Sequence, residues 1–420
     1  MIVLLIILLV VLALYGMPLF AVLGSIALAL FWSAEIDISS VAVSMYTLAN
    51  SPLLVAIPLF TFAGYLFAYS NAPDRLVRLS RALFPGGLAV VALVSCAVFT
   101  AFTGASGVTI IAMGGLLLPA LIKDGYNRRF TLGLVTTSGS LGLLFPPSLP
   151  LILYGYVAAV SVDKLFLAGL LPGIFLVVVL SVFGYLRGRK DGVVREKMSL
   201  KNVLAGIRGA AWEAPLPFLV LGGIYGGVIT VMEAAALTAF YALIVEVFIY
   251  RDIPFRRLPA IVAESMMLVG GILIILACAL GLTNYLIDAE IPMQLLEWMQ
   301  TYVSSKYTFL LLLNIFLLIV GCLMDIFSAL IVVVPLIVPV AIGFGVDPVH
   351  LGIIFLTNLE IGYITPPVGL NLFISSYRFN EPVVSLYAAS IPFLLLLLGA
   401  LLVITYIPAI SLFLVRLVGG

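Results

Sequence analysis

Runs of about twenty apolar residues, cut by short charged stretches, recur along the whole of this chain. No other feature limits its fold as much. A helix rises 1.5 Å per residue, so about 20 residues cross the ~30 Å hydrocarbon core of a bilayer. A transmembrane β-barrel would show strands of about ten residues in apolar–polar alternation, and no such alternation is present. Only 9% of the 420 residues are charged, against about 25% in soluble domains. The chain therefore reads as an all-α polytopic membrane protein. Its spans fall near 2–32 (one long helix, or two short ones broken near Gly16-Met17-Pro18), 43–69, 86–122, 130–157, 165–187, 211–230, 233–250, 260–287, 308–346, 350–376 and 385–415. The opening "MIVLLIILLVVLALYG" lacks the basic segment of a signal peptide and reads as a retained span.

Two of these stretches, 86–122 and 308–346, are nearly twice the length of one crossing. Each is interrupted by small or polar residues, "FTAFTGASG" at 99–107 and "GCLMD" at 321–325. Each predicts a hairpin of two helices, re-entrant or fully spanning. Lys and Arg cluster at Arg75, Arg78 and Arg81, at Lys123, Arg128 and Arg129, between Arg187 and Arg208, and at Arg251, Arg256 and Arg257. The stretches near 33–42 and 288–305 carry acids without Lys or Arg. With basic clusters inside, re-entrant hairpins at both places put every strong cluster on one side.

Prolines set adjacent in an apolar run are the next constraint. Each removes a backbone donor and clashes with the preceding turn, costing ~3 kcal/mol in a helix interior. Pro146-Pro147 and Pro366-Pro367 lie 220 residues apart, and at the same offset Gly142 falls on Gly362, Thr137 on Thr357, Gly125 on Gly345 and Pro119 on Pro339. The helix breakers keep their spacing without a gap. The crossing count opens the first copy from the inside and the second from the outside, so the repeats read as inverted, each with a hairpin and a Pro-Pro-broken helix. Inverted repeats with broken helices mark secondary transporters, with the site at the midplane. Carbonyls freed at a break cannot face lipid. With nearby hydroxyls they suit a small hard cation such as Na+, while half-helix N-termini hold an anion. Side-chain polarity at the breaks comes from Ser138, Ser140 and Ser148 in the first copy and Asn358, Thr365 and Asn371 in the second. Intramembrane acids default to function. Asp325 and Glu360 lie within the second copy, whereas Glu233 stands near a helix start and reads as a cap or scaffold residue.

Several functions are excluded. His350 is the single histidine, and Cys96, Cys278 and Cys322 are scattered through apolar runs. Histidine metal centres and Ser-His catalysis find no residues, and no Walker-type phosphate loop is present. No motif of an intramembrane protease appears, so the chain is not read as an enzyme. A net charge of +1 offers nothing to nucleic acid.

"TGASG" with "AMGGLLLPALIKDGY", "GSLGLLFPPSLPLILYG", "GGIYGGVITVMEAAA", "DIFSALIVVVPLIVPVA" and "GVDPVHLGIIFLTNLEIGYITPPVGLNLF" follow in order over nearly the whole chain. Together they resemble the large membrane subunit of tripartite ATP-independent periplasmic (TRAP) transporters, in its dicarboxylate-type form. The resemblance implies an elevator-type, sodium-coupled symporter in a bacterial inner membrane. It implies a small four-helix membrane subunit, a periplasmic substrate-binding protein, and a small organic acid as substrate: a C4-dicarboxylate, sialic acid or a similar carboxylate. It implies a first sodium site from Thr100, Thr103, Gly142, Phe145 and Pro147, and a second from Gly321, Gly362, Thr365 and Val368, several through backbone carbonyls. Substrate would lie near Ser106, Asp325 and Asn358, with Ser138 and Ser148 adding polarity. Where the family has a small or hydroxyl residue after "SG" in the first tip, this chain has Val108. Transport parts are expected at 86–157 and 306–378, with scaffold or connecting helices at 1–85 and 158–305 and a C-terminal part at 379–420. The rival within transport is an organic-acid:cation symporter that needs no binding protein. A passive membrane scaffold would need neither broken helix.

Overall fold

The computed structural model describes residues 2–83, 87–193 and 200–419, and every regular element among them is helical. Residues 84–86, at the start of the expected 86–122 stretch, and 194–199, inside the basic stretch from Arg187 to Arg208, lie outside the described residues. Helices α1 (Ile2–Leu14) and α2 (Leu19–Ser33) part at Gly16, whose φ of +97° suits glycine alone, and at Pro18. After α3 (Ser39–Ala49) a 3-10 turn at Pro52–Val55 leads into α4 (Ala56–Tyr69). The basic cluster at 75–81 lies on a helix, α5 (Ala72–Leu83), whose Leu76 and Ala72 are buried while Arg78 and Arg81 are exposed.

The first long stretch folds as a hairpin of α6 (Leu88–Thr103) and α7 (Ser106–Lys123). Gly104, at φ +64°, closes α6 in the left-handed region. The first broken helix is α8 (Arg128–Ser138) and α9 (Leu149–Val157), with a cis Pro146-Pro147 link between them. Long α10 (Val162–Lys190) runs unbroken through Pro172. Helices α11 (Leu200–Gly209), α12 (Leu216–Tyr225) and α13 (Val231–Leu243) follow, and α13 ends in a π turn at Ile244–Ile249. Glu233 completes a capping box with Thr230 at the start of α13. Helix α14 (Leu258–Asp288) has 31 residues, and the acidic stretch after it forms another helix, α15 (Ile291–Tyr302). The second hairpin is α16 (Lys306–Leu323) and α17 (Ile326–Gly343). The second broken helix is α18 (Pro348–Gly362) and α19 (Leu370–Phe379), again with a cis link, at Pro366-Pro367. Helices α20 (Val383–Tyr406) and α21 (Pro408–Gly419) end the fold. Among the described residues, eight helices are long and apolar enough to cross a bilayer.

The two broken helices interlock. Helix α8 packs on α19, α9 packs on α18, and each hairpin packs on its own broken helix. The long α10 and α20 enclose this group, whereas α2, α3 and α4 gather around α14, with α13 packed on α4. All four basic clusters meet at one end of the molecule. Arg81 pairs with Asp124 at 3.4 Å, the Asn127 amide donates to Asp191 at 3.5 Å, and α5 packs along α11. At that end Arg75 is buried among three acids. It pairs with Glu213, with Glu246 at 2.9 Å and with Asp252 at 2.7 Å, its guanidinium 3.9 Å over the Tyr250 ring. Burial alone would raise the Asp252 carboxyl, but the Asn71 amide and Arg75 outweigh it and hold it below the ordinary carboxylate range. Glu213 moves the other way, because its burial outweighs Arg75.

Candidate functional site

The first hairpin tip turns three threonines onto the start of the first break. The Thr100 hydroxyl lies 2.7 Å from the Cys96 carbonyl, 2.8 Å from the Thr109 hydroxyl and 3.0 Å from the Gly139 carbonyl. The Thr109 hydroxyl is 3.5 Å from that of Thr103 and 3.5 Å from the Ala105 carbonyl. All three threonines are fully buried. Six oxygens here share three hydroxyl protons, and a hydroxyl has one proton and two lone pairs. Such a donor-poor cluster suits a hard monovalent cation. Thr109 was not singled out in the sequence. It is one residue past Val108, and only the turn of α7 shows that it, and not position 108, faces Thr100.

Gly142 lets this break sit on α6. A Cβ there would meet the Ala97 carbonyl oxygen at 2.2 Å and the Thr100 Cβ at 2.5 Å. The other residues implied for the first site lie farther along the break. Phe145 turns its ring onto Gly173 of α10, and Pro147 belongs to the cis link. Ser138 and Ser148 donate to the carbonyls of Val135 and Leu143, which leaves lone pairs on both hydroxyls. Ser106 opens α7 and is buried, and Ala105 before it supplies no side-chain cap. The first amides of α7 are thus left without a side-chain cap.

The second hairpin repeats this relation 220 residues on. A Cβ on Gly362 would lie 2.5 Å from the carbonyl carbon of Gly321, so α16 and α18 touch backbone to backbone. Thr365 donates to the Ile361 carbonyl at 2.9 Å and keeps its lone pairs. The Gly369 amide donates to the Cys322 carbonyl at 3.0 Å, which ties the break to the hairpin. Val368 is partly exposed beside it. At the tip Asp325 accepts the Phe327 and Ser328 amides, both at 3.0 Å and both on Oδ1, so it caps α17 and leaves Oδ2 unspent. The Ile326 amide donates to the Tyr363 hydroxyl at 2.7 Å, joining tip to break.

Asn358 is fully buried one turn before this break. Its amide gives one proton to the Ile354 carbonyl at 2.8 Å and the other to Asn314 Oδ1 at 2.7 Å. A carbonyl only accepts, so the amide nitrogen must face Ile354. Asn314 is held in turn by Thr405 at 3.1 Å. Asn358 can therefore only accept from anything else. Asn314, buried on α16, was not predicted; a lone Asn in an apolar run gives no sign of its partner across a helix seam.

The sequence profile described as "Tripartite ATP-independent periplasmic transporter, DctM component" matches residues 5–410. The chain belongs to this TRAP transporter family. The C4-dicarboxylate TRAP transporter large permease protein DctM of Rhodobacter capsulatus is 36% identical to it, over 98% of each chain. The isethionate TRAP transporter permease protein DctMQ of Oleidesulfovibrio alaskensis is 35% identical, over 95% of this chain and 64% of its own length. The 2,3-diketo-L-gulonate TRAP transporter large permease protein YiaN of Escherichia coli is 29% identical over 94% of each. The fold is also similar to the crystal structure of the YdaH transporter of Alcanivorax borkumensis, described as having an unusual topology. Its TM-score is 0.65 at 15% identity, over 96% of this chain and 98% of that one. As a member of a permease family, the chain is a transport protein and not an enzyme.

Proposed function

We propose that this TRAP permease takes up a small organic acid, with a C4-dicarboxylate the first candidate, across a bacterial inner membrane by symport with sodium. The relatives named above carry three different small acids, and the two matched over 95% or more of this chain point to C4-dicarboxylate and isethionate. One observation supports the reading best. Gly142 on α6 and Gly362 on α16 make the same close contact at the same spacing, each beside a broken helix. Under this proposal Thr100, Thr103 and Thr109 with the carbonyls of Gly142, Phe145 and Pro147 hold one Na+. Gly321, Gly362, Thr365 and Val368 hold the second. The acid binds between the tips, against the α7 amides, Ser106, Ser138 and Ser148, with Asp325 Oδ2 accepting from any substrate hydroxyl.

The two copies are inverted in the membrane, so the gap between their tips faces each side in turn. The group enclosed by α10 and α20 moves as an elevator past the group around α14. A periplasmic binding protein delivers the acid, and a small four-helix membrane subunit steadies the non-moving part. Uptake of labelled succinate and isethionate into proteoliposomes tests this reading. Uptake is expected to need an inward Na+ gradient, the small subunit and the binding protein. Equal uptake with potassium replacing sodium would overturn sodium coupling, and full uptake without the binding protein would favour an autonomous symporter.

A further inference from the structure

An apolar groove with a cation at its end lies between α12 and α13, away from both breaks. Helix α12 has 10 residues and rises about 15 Å, half the ~30 Å of a bilayer core. Beside it α13 and its π turn run on from Val231 to Ile249. The seam between them stays open as a groove of about 380 Å³, walled by Trp212, Leu219, Leu237, Phe240, Ile244 and Ile249. The two side-chain hydroxyls that line it are spent. Thr238 donates to the Ala234 carbonyl and Tyr241 to the Trp212 carbonyl, both at 2.7 Å. Such walls favour an apolar chain over water. A helix 10 Å across fills roughly 420 Å³ per turn, more than the whole groove. A partner helix therefore cannot enter it, whereas a single acyl chain can.

The groove ends at a positive charge. Ile249 is its last residue along α13, and a second groove of about 500 Å³ begins on the same turn, between Phe248, Phe255 and Arg251. Arg251 Nε donates to the Phe248 carbonyl at 3.4 Å. The guanidinium thus stands beside the last turn of the apolar groove, with both terminal nitrogens left for a forked contact to phosphate. The acids of this end are taken: Glu213, Glu246 and Asp252 all hold Arg75, and among the described residues Arg251 pairs with none. The Gly209 carbonyl accepts from the Tyr250 hydroxyl at 2.9 Å, which brings the α11 end, with Arg208, to the same turn. Phe248 and Phe255 are each more than half exposed and meet edge to face at 5.3 Å, an aromatic pair suited to a membrane interface. Arg251 also sits at φ +57°, where a long L side chain is strained and Gly or Asn would cost less.

We propose that this groove binds one anionic phospholipid of the cytoplasmic leaflet, with its phosphate on Arg251 and one acyl chain between α12 and α13. Basic pockets between membrane helices on the cytoplasmic side hold such headgroups, and that leaflet is the anionic one. A lipid and not a free anion is the occupant, because the cation adjoins the apolar groove. Neither the sodium sites nor the coupling ion enters the argument.

The experiment strips the permease, purified with its small subunit, of lipid in detergent. It then titrates the complex with phosphatidylglycerol or phosphatidylethanolamine and counts bound lipid by native mass spectrometry. Wild type is expected to bind one phosphatidylglycerol, at least fivefold tighter than phosphatidylethanolamine. Arg251→Asn suits the left-handed backbone better than arginine does, so it keeps the fold. It is expected to lose the preference, a fall of roughly fivefold for one arginine near an anionic surface. Lys123→Asn removes the same charge from the same end but outside both grooves, and should change nothing. Leu237→Trp fills the groove and should weaken both lipids alike. Thermal unfolding confirms that each variant is folded. A photo-crosslinking side chain in place of Phe240 should capture lipid, and if Leu237→Trp fails to fold, that crosslink alone decides the groove. Equal phosphatidylglycerol affinity in wild type and Arg251→Asn, an equal loss in Lys123→Asn, or unchanged binding in a folded Leu237→Trp overturns the proposal. Displacement of the lipid by an equal concentration of inorganic phosphate overturns it in favour of a free anion. Crosslinking of the small subunit from position 240 overturns it in favour of that partner.

Discussion

Replacing Gly362 by alanine tests the architecture of the second break most directly. The added Cβ would sit 2.5 Å from the carbonyl carbon of Gly321, where ordinary contact begins near 3.4 Å. Backbone faces backbone there, so no side chain can swing aside and α16 must move from α18 by about 0.9 Å. Overpacking of a close seam costs typically 1–3 kcal/mol. If that seam holds the carbonyls of a sodium site, the strain falls on the ion-bound state, and the half-saturating Na+ for uptake rises roughly 5- to 150-fold. The KM for substrate, measured at saturating Na+, stays within twofold of wild type. The control is the same change at Gly399 of α20, where nothing lies within 4 Å. There alanine removes only backbone freedom and stabilises by about 0.4–1 kcal/mol. Sodium-jump uptake in proteoliposomes reads the first quantity and thermal unfolding in detergent the second. A Gly362→Ala protein with wild-type sodium dependence would refute the reasoning.

Three other perturbations reach other parts of the fold. Thr109→Val removes the hydroxyl between Thr100 and Thr103 at constant shape, and sodium affinity should fall about tenfold, while Thr109→Ser restores it; equal affinities would show that the cluster holds no ion. Gly64→Leu on α4 places its Cβ 2.6 Å from the Phe102 carbonyl oxygen and the Thr103 Cα at the first tip, so equilibrium Na+ binding at the first site and uptake should both fall, and unchanged Na+ binding would show that Thr103 is not a ligand. Arg75→Met strands three acids and should cost about 3–5 kcal/mol at neutral pH by thermal unfolding. Its pH dependence has a definite sign. In wild type the lowered Asp252 carboxyl adds stability above its unfolded value of 3.8, which is lost as pH falls through the folded value. Without Arg75 the acids favour protons in the folded state, so the variant loses stability as pH rises, and its deficit against wild type should shrink between pH 7 and pH 5.

The sequence showed much of this fold because helix breakers act locally. Pro146-Pro147, Pro366-Pro367 and the TGASG tip interrupt apolar runs, and the structure breaks its helices at those points. The hairpin of 308–346 follows from the same signals, whereas the division of the C-terminal span 385–415 at Ile407–Pro408 was not read from the sequence. Short helices outside the long apolar runs were harder to see. Helices α5, α11 and α15 mix polar and apolar residues, so they read as charge clusters or loops, whereas in the structure α5 packs on α11 and α15 packs on α17. Site residues divide in the same way. Gly142 and Gly362 stand out by keeping a 220-residue spacing beside the diprolines, while the site roles of Gly142, Gly321 and Gly362 were implied by the family resemblance alone. Thr109 and Asn314 owe their places to helix rotation and to neighbours across a helix seam, which one chain read alone does not encode legibly.

The interlocking of α8 with α19 and of α9 with α18 has a cost during synthesis. The first break needs helices that leave the ribosome some 220 residues later, about 10–45 s at ordinary elongation speeds. Throughout that interval the Thr136 carbonyl and hydroxyl lack Asn371 and Ser375, their partners in the finished fold. Lipid cannot shelter them. The newborn half must therefore wait inside insertion machinery, or at the water interface, until its other half arrives to close over it.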